Sequence, residues 1–140
     1  MKKAIICDLD GTLAHIDHRD PYDASTCEED LLNEPVANIL TVYSEQKEFE
    51  IAILLVSGRE DKYRPQTERW LRKHGIAYEA LLMRRTGDFR KDTLIKKELY
   101  ESHIADRYTI LFVLDDRDQV VAMWRKELGL TCLQVAYGNF

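Results

Sequence analysis

The run Ala4-Ile5-Ile6-Cys7-Asp8-Leu9-Asp10-Gly11-Thr12 decides the fold. Its first four residues form a continuous apolar stretch, the pattern of a buried parallel strand. Two carboxylates, Asp8 and Asp10, follow at once. In extended backbone, residues i and i+2 point the same way and lie roughly 6.6 Å apart. Gly11 lets the chain turn off the strand, and the Thr12 hydroxyl ties that turn down. Acids held side by side repel unless a cation or a shared proton compensates them. One use of such a pair is a nucleophilic carboxylate beside a proton donor, with a divalent metal between them and a substrate phosphate. The plain alternative for an isolated Asp-x-Asp is a solvated acidic turn, so the reading depends on partners further along the chain.

Strand-like and helix-like segments alternate through the rest of the sequence, without repeats or low-complexity linkers. Residues 13–32 are polar and irregular, with Pro21 and acids at positions 17, 20, 23, 28, 29 and 30. About 20 residues suit a flap or loop insertion rather than an independent cap domain. A helix is predicted from near Asn33, with Pro35 in its first turn and Val36, Ile39, Leu40 and Tyr43 on one face. A second buried strand covers 51–56 and ends in Ser57-Gly58-Arg59. A helix over 65–74 is closed by Gly75. A third strand covers 78–83, and a helix over 88–102 places Ile95 and Leu99 on its inner edge. The fourth strand, 109–114, delivers Asp115-Asp116; a helix over 120–128 closes at Gly129, and a last strand covers 131–136. Such alternation predicts one α/β domain over 1–140, a Rossmann-like parallel sheet with helices on both faces and strand order 3-2-1-4-5. Ligands of such sheets sit at the carboxyl ends of the strands. Asp8 and Asp10, Ser57 and Arg59, and Asp115 and Asp116 all fall there.

The 140 residues, 45% hydrophobic and 32% charged, are those of an ordinary soluble domain. No apolar run approaches the ~20 residues of a membrane span, and the first acids arrive too early for a signal peptide. Cys7, Cys27 and Cys132 are odd in number and widely spaced, as expected of reduced thiols in the cytoplasm. None has an arginine six residues later, which argues against a cysteine-nucleophile phosphatase loop. A net charge of −5 argues against a broad nucleic-acid-coating surface. The charge is uneven: residues 84–97 hold six bases and two acids, leaving −9 on the remainder.

The chemistry assigns a role to each strand-end residue. Asp8 is the candidate nucleophile, giving an aspartyl-phosphate. Asp10 would protonate the leaving alkoxide and then activate water. A Mg²⁺ ion would take an Asp8 carboxylate oxygen, the Asp10 carbonyl and one acid of the Asp115-Asp116 pair, a hard-oxygen set suited to that ion. Ser57 offers its hydroxyl to a phosphate oxygen. Lys96 supplies positive charge, with Asp92 four residues earlier in the favourable order for orienting it. Each signal alone has an ordinary structural explanation: a helix ion pair, a strand-end turn, or acids at a helix N-terminus. The four histidines have no metal-ligand spacing and read as structural or solvent-facing, and Trp70, Trp124 and Tyr43 as core.

Asp-x-Asp-Gly-Thr, a strand-end Ser, a helical Lys and a strand-end Asp-Asp, in that order, resemble the haloacid dehalogenase-like phosphatase superfamily. A closer resemblance is to the 3′-phosphatase domain of phage polynucleotide kinase/phosphatase. It is carried by Arg19-Asp20-Pro21-Tyr22-Asp23, Val56-Ser57-Gly58-Arg59-Glu60, Gly87-Asp88-Phe89-Arg90-Lys91-Asp92, Asp115-Asp116-Arg117-Asp118-Gln119-Val120-Val121 and Gln134-Val135-Ala136. The resemblance implies an essentially capless domain, Asp116 as direct metal ligand and Asp115 behind it. It implies Arg19 and Arg59 flanking the scissile phosphate, Arg84 at the exit of strand three, and Ser57, Gly58 and Lys96 in the phosphate pocket. No Gly-x-x-x-x-Gly-Lys-Ser/Thr loop is present, so the kinase half is absent from this sequence.

The expected activity is Mg²⁺-dependent removal of a 3′-phosphate from a polynucleotide end, as part of nucleic-acid repair. A separate kinase or ligase would act beside it, in the cytoplasm (that of the host, for a phage-encoded chain). A phosphatase for a small metabolite such as a sugar phosphate or nucleotide is the nearest alternative. A receiver-like phosphoacceptor module is the non-enzymatic one, but it would place an acceptor Asp where strand two ends in Ser57.

Overall fold

The computed structural model describes residues 1–140. Five parallel strands form the central sheet: β1 (Lys2–Cys7), β4 (Ile51–Glu60), β5 (Ala80–Arg84), β6 (Tyr108–Asp115) and β7 (Cys132–Gln134). Their order is β5-β4-β1-β6-β7, the 3-2-1-4-5 arrangement expected from the alternation, with β1 at the centre. Two short strands, β2 (Ala14–His15) and β3 (Leu31–Leu32), pair antiparallel at the base of the 13–32 insertion.

Side chains alternate between two cores, as period-two geometry requires. Ile5, Cys7, Ile53 and Leu55 pack on one face beneath α1 (Glu34–Ser44) and α2 (Arg64–Lys73), with Leu40, Trp70 and Leu71. Ala4, Ile6, Leu54, Val56 and Val113 pack on the other. There they meet Val120, Val121 and Trp124 from α4 (Asp118–Ala122) and the π-helical turn that continues it, Met123–Glu127. Leu99 of α3 (Asp92–His103) joins this second core. Burying both faces is what makes β1 and β4 apolar without alternation. All three cysteines are buried and free. No helix is long and apolar enough to cross a membrane.

Several element boundaries differ from the pattern, including β5, which runs Ala80–Arg84 against the predicted 78–83. β4 runs on to Glu60 rather than stopping at Val56, with a register irregularity between Ser57 and Glu60 against β5, so Ser57 and Arg59 lie within a bulged strand end. Such bulges re-aim side chains beside sites. α3 begins at Asp92, not Asp88, because residues 88–91 are held in a turn. The Asp88 carboxylate accepts from the Arg90 backbone N–H, and Arg84 donates to the carbonyls of Asp88 and Arg90. The helix over 120–128 starts at Asp118 and widens to a π turn from Met123. β7 spans only three residues of the predicted 131–136.

Candidate active site

Asp8 follows β1 with its amide donating to the Leu114 carbonyl at 3.0 Å, which carries the ladder one residue past the strand. The turn at Gly11 has φ +82°, and a Cβ there would stand 2.2 Å from Asp116 Oδ2. Glycine is therefore required twice over, by conformation and by the approach of the β6 loop. Thr12 faces back into the site. Its hydroxyl lies 3.0 Å from Asp8 Oδ2 and 3.2 Å from Asp116 Oδ1, while its carbonyl accepts from Asn33 Nδ2 at 2.8 Å.

Lys96 comes up from α3 with its side chain 1% exposed. Its ammonium donates to Asp8 Oδ1 at 2.8 Å and to Asp115 Oδ2 at 3.0 Å. Asp92, expected to orient Lys96, is more distant at 3.9 Å. The carboxylates nearest Lys96 come from β1 and β6, and Asp92 is held by Arg84 at 3.1 Å instead. Burial alone would lower the Lys96 pKa; the carboxylates of Asp115, Asp8 and Asp92 outweigh it and hold the ammonium well above the usual range. Burial pushes Asp8 well above the ordinary carboxylate range, reinforced by Asp115 and Asp116 and opposed by Lys96. Burial and then Asp115 also raise Asp116.

Oxygens of Asp8, Asp115 and Asp116 lie within 4.8 Å of one another. Three buried carboxylates facing a single ammonium leave negative charge that a hard divalent cation would neutralise, so the donor set fits Mg²⁺. Asp115 already has partners on both oxygens. Oδ1 accepts from the Asp116 N–H at 2.8 Å, and Oδ2 accepts from Lys96 and from Trp124 Nε1 at 3.1 Å. Asp116 has only Thr12 on its carboxylate.

A second cluster adjoins the first. Arg59 donates from Nε and from a terminal nitrogen to Asp10 Oδ1, at 2.9 and 2.6 Å, and from its other terminal nitrogen to Thr67 Oγ1 at 3.0 Å. Arg19, from the insertion, donates to the same Asp10 oxygen at 2.9 Å. Both guanidinium groups also bond Asp30, whose side chain is fully buried and whose Oδ1 lies 2.6 Å from His18 Nε2. The Asp30 carbonyl accepts from Trp70 Nε1. The insertion is thereby bolted to the sheet end through charge.

The structure thus brings Asp8, Asp115, Asp116, Lys96 and Thr12 into one cluster and Asp10, Arg19 and Arg59 into the next. Ser57 is buried, and its hydroxyl accepts from the Arg59 N–H at 3.1 Å. A Cβ on Gly58 would stand 2.1 Å from Asp92 Oδ1, so that glycine admits the start of α3. Arg84 lies where strand three ends, but its donors go to the carbonyls of Gly58, Asp88 and Arg90 and to Asp92. In this state it ties the 85–91 loop to the sheet.

Asp30 escaped the sequence reading because nothing in Glu28-Glu29-Asp30 separates it from its neighbours. Its one signal was adjacency to Leu31-Leu32, where the insertion returns to the core. His18, read as structural or solvent-facing, is one of its partners. Trp124 carried a clearer hint, since a buried indole N–H needs an acceptor.

The family model for the polynucleotide kinase PNKP phosphatase domain matches residues 2–140. A putative bifunctional polynucleotide kinase/RNA ligase of Autographa californica nuclear polyhedrosis virus is 33% identical over 125 residues, covering 88% of this chain and 18% of the relative. A chain in the solved structure of a Pnkp1/Rnl/Hen1 complex is 54% identical, with a TM-score of 0.96 over all of this chain and 48% of that one. A second, in a Pnkp1/Rnl/Hen1 RNA repair complex, is 55% identical with a TM-score of 0.96, over 99% of this chain and 44% of that one. The chain spans less than a fifth of the viral relative and just under half of each solved chain.

Proposed function

The chain belongs to the polynucleotide kinase phosphatase-domain family, and from that membership we propose that this phosphatase removes 3′-phosphates from polynucleotide ends to leave 3′-hydroxyls. The observation that carries the mechanism is Asp8, held between Lys96 and Thr12 with Asp116 beside it, at the carboxyl end of the central strand. Asp8 attacks phosphorus, the bond to the 3′ oxygen breaks, and an aspartyl-phosphate forms. Asp10, taking up a proton from solvent as the substrate phosphate draws Arg19 and Arg59 from its carboxylate, gives that proton to the departing alkoxide and then takes one from the water that hydrolyses the intermediate. Lys96 and Thr12 hold the two Asp8 oxygens, one each, and so fix the carboxylate for attack. Asp8, the Asp10 carbonyl and Asp116 would hold Mg²⁺, with Asp115 behind them, and the ion would supply charge neutralisation for phosphoryl transfer. Ser57 and the Gly58 region line the phosphate pocket, and Arg19 and Arg59 present guanidinium forks to its oxygens.

The insertion supports a polynucleotide rather than a small metabolite, because about 20 residues suit a flap rather than an independent cap domain. Tyr22 and Phe89, on loops at the same end of the sheet, are 84% and 82% exposed and offer flat faces to bases. The viral relative joins kinase and RNA ligase in its name, and we infer that such activities prepare or consume the ends this domain treats. The test is a side-by-side assay of a 3′-phosphorylated oligonucleotide, a nucleoside 3′-monophosphate, a 5′-phosphorylated oligonucleotide and a sugar phosphate. The oligonucleotide 3′-phosphate is expected to be hydrolysed with the highest kcat/KM, in a chelator-sensitive reaction. Efficient hydrolysis of the sugar phosphate with none of the oligonucleotide would discard the polynucleotide substrate.

A further inference from the structure

The stretch from Leu133, within β7, to Phe140 has little hydrophobic reason to lie where it does. Of residues 133–140 only Gly138 is buried and Val135 half-buried, while Tyr137 and Phe140 face solvent. Yet its polar contacts converge on the loop that carries Asp116. The Val135 N–H donates to the Asp115 carbonyl at 3.1 Å. Gln134 Nε2 donates to the Asp116 carbonyl at 2.9 Å and to the Asp118 carboxylate at 2.6 Å. The Asp118 N–H donates to the Gly138 carbonyl at 2.8 Å, and Arg117 Nε to that of Phe140 at 2.8 Å.

Gly138 is pressed against the backbone. A Cβ there would stand 1.9 Å from the Asp116 carbonyl oxygen and 2.7 Å from Arg117 Cα. Its φ lies outside the left-handed region, so contact alone calls for glycine at this position. The loop needs outside support, because Asp8, Asp115 and Asp116 repel one another and only the Thr12 hydroxyl bonds the Asp116 carboxylate. A hydroxyl at 3.2 Å is a weak restraint on a charge being pushed outward.

We propose that residues 134–138 are a positioning element for the divalent-cation site: Gln134 and Gly138 hold the Asp116–Arg117 peptide so that Asp116 faces Asp8, and thereby set cation affinity without touching the ion. This rests on the metal reading above. The test is Mn²⁺ titration of the purified chain, following free Mn²⁺ by electron paramagnetic resonance. Wild type, Gly138→Ala, Gln134→Ala and Tyr137→Ala are compared, with thermal unfolding as the measure of folding. Outer contacts of a metal site commonly carry about 10–100-fold in affinity. Gly138→Ala is expected to weaken Mn²⁺ binding by at least about 10-fold, and Gln134→Ala by about 3–10-fold. Tyr137→Ala, which alters a fully exposed ring, is expected to match wild type. The Mg²⁺ concentration for half-maximal turnover should rise with Gln134→Ala, while kcat at saturating Mg²⁺ stays near wild type. A merely structural segment would lower the unfolding temperature and leave the Mn²⁺ affinity of folded protein unchanged, and that result overturns the proposal. If Gly138→Ala fails to fold, Gln134→Ala decides alone. A wild-type chain that takes up no Mn²⁺ removes the metal reading itself, and this inference with it.

Discussion

Two charge clusters share the mouth of the sheet, and they balance differently. Around Lys96, three buried carboxylates face one ammonium. Around Asp10, two guanidinium groups face two carboxylates, with His18 as a further partner of Asp30. The first cluster has an acid surplus, and its donor set fits a divalent cation. The second is neutral and closed on itself. A phosphate can claim the forks of Arg19 and Arg59 only by competing with the Asp10 carboxylate that holds them. On the proposed mechanism, substrate binding and release of Asp10 for proton transfer would then be parts of one event, although Asp8 and Asp10 are only two residues apart.

The largest effect that would break this contrast is at Lys96. Lys96→Met should abolish turnover and destabilise the fold by about 3–5 kcal/mol, because it leaves buried acids without their cation. Urea unfolding measures it; wild-type stability would mean that the surplus is an illusion. A smaller loss is expected at Asp30. Asp30→Asn keeps the shape but removes the anion shared by Arg19 and Arg59, costing about 1.5–3 kcal/mol. Turnover should fall by up to about 10²-fold as the forks lose their placement, and unchanged kcat would make Asp30 a purely structural acid.

The smallest expected effect has the opposite sign. Unfolded, a carboxylate titrates near about 3.9, and burial, with Asp115 and Asp116 nearby, holds folded Asp8 well above that. Between the two values the folded chain binds the extra proton. Without metal, this contribution is fully present below the unfolded pKa and is lost as pH rises through the folded one. Asp8→Asn does not titrate, so its unfolding temperature should exceed that of wild type increasingly from about pH 4 towards neutrality. Added Mg²⁺ should stabilise wild type but not the variant. Parallel pH curves without metal would show that Asp8 is not strained.

The sheet was legible because its strands are apolar runs bounded by glycine, proline and acids, and because a parallel sheet leaves few connections open. The acid cluster was legible for the same reason: Asp8, Asp115 and Asp116 stand at the ends of neighbouring strands. The arginine cluster was half legible. Arg19 and Arg59 belong to recognisable segments, but Asp30 acquires its role only from the path of the insertion. Arg84 shows the converse case, a basic residue in the right place whose donors fold inward to carbonyls. The displaced start of α3 has a local cause, the Asp88 turn competing with helix formation.

The central place of β1 orders events as the chain is made. Its neighbours are β4, about 50 residues later, and β6, more than 100 residues later. This apolar strand leaves the ribosome before either neighbour and waits with one edge open until Tyr108–Asp115 has been synthesised. Open edges of this kind invite pairing with other chains, and long-range pairing of parallel strands is slow. The same late strand brings Asp115 and Asp116 to Asp8. The reactive cluster therefore comes into being in the step that closes the most aggregation-prone surface, and a nascent chain gains chemistry only once it is safe from its neighbours.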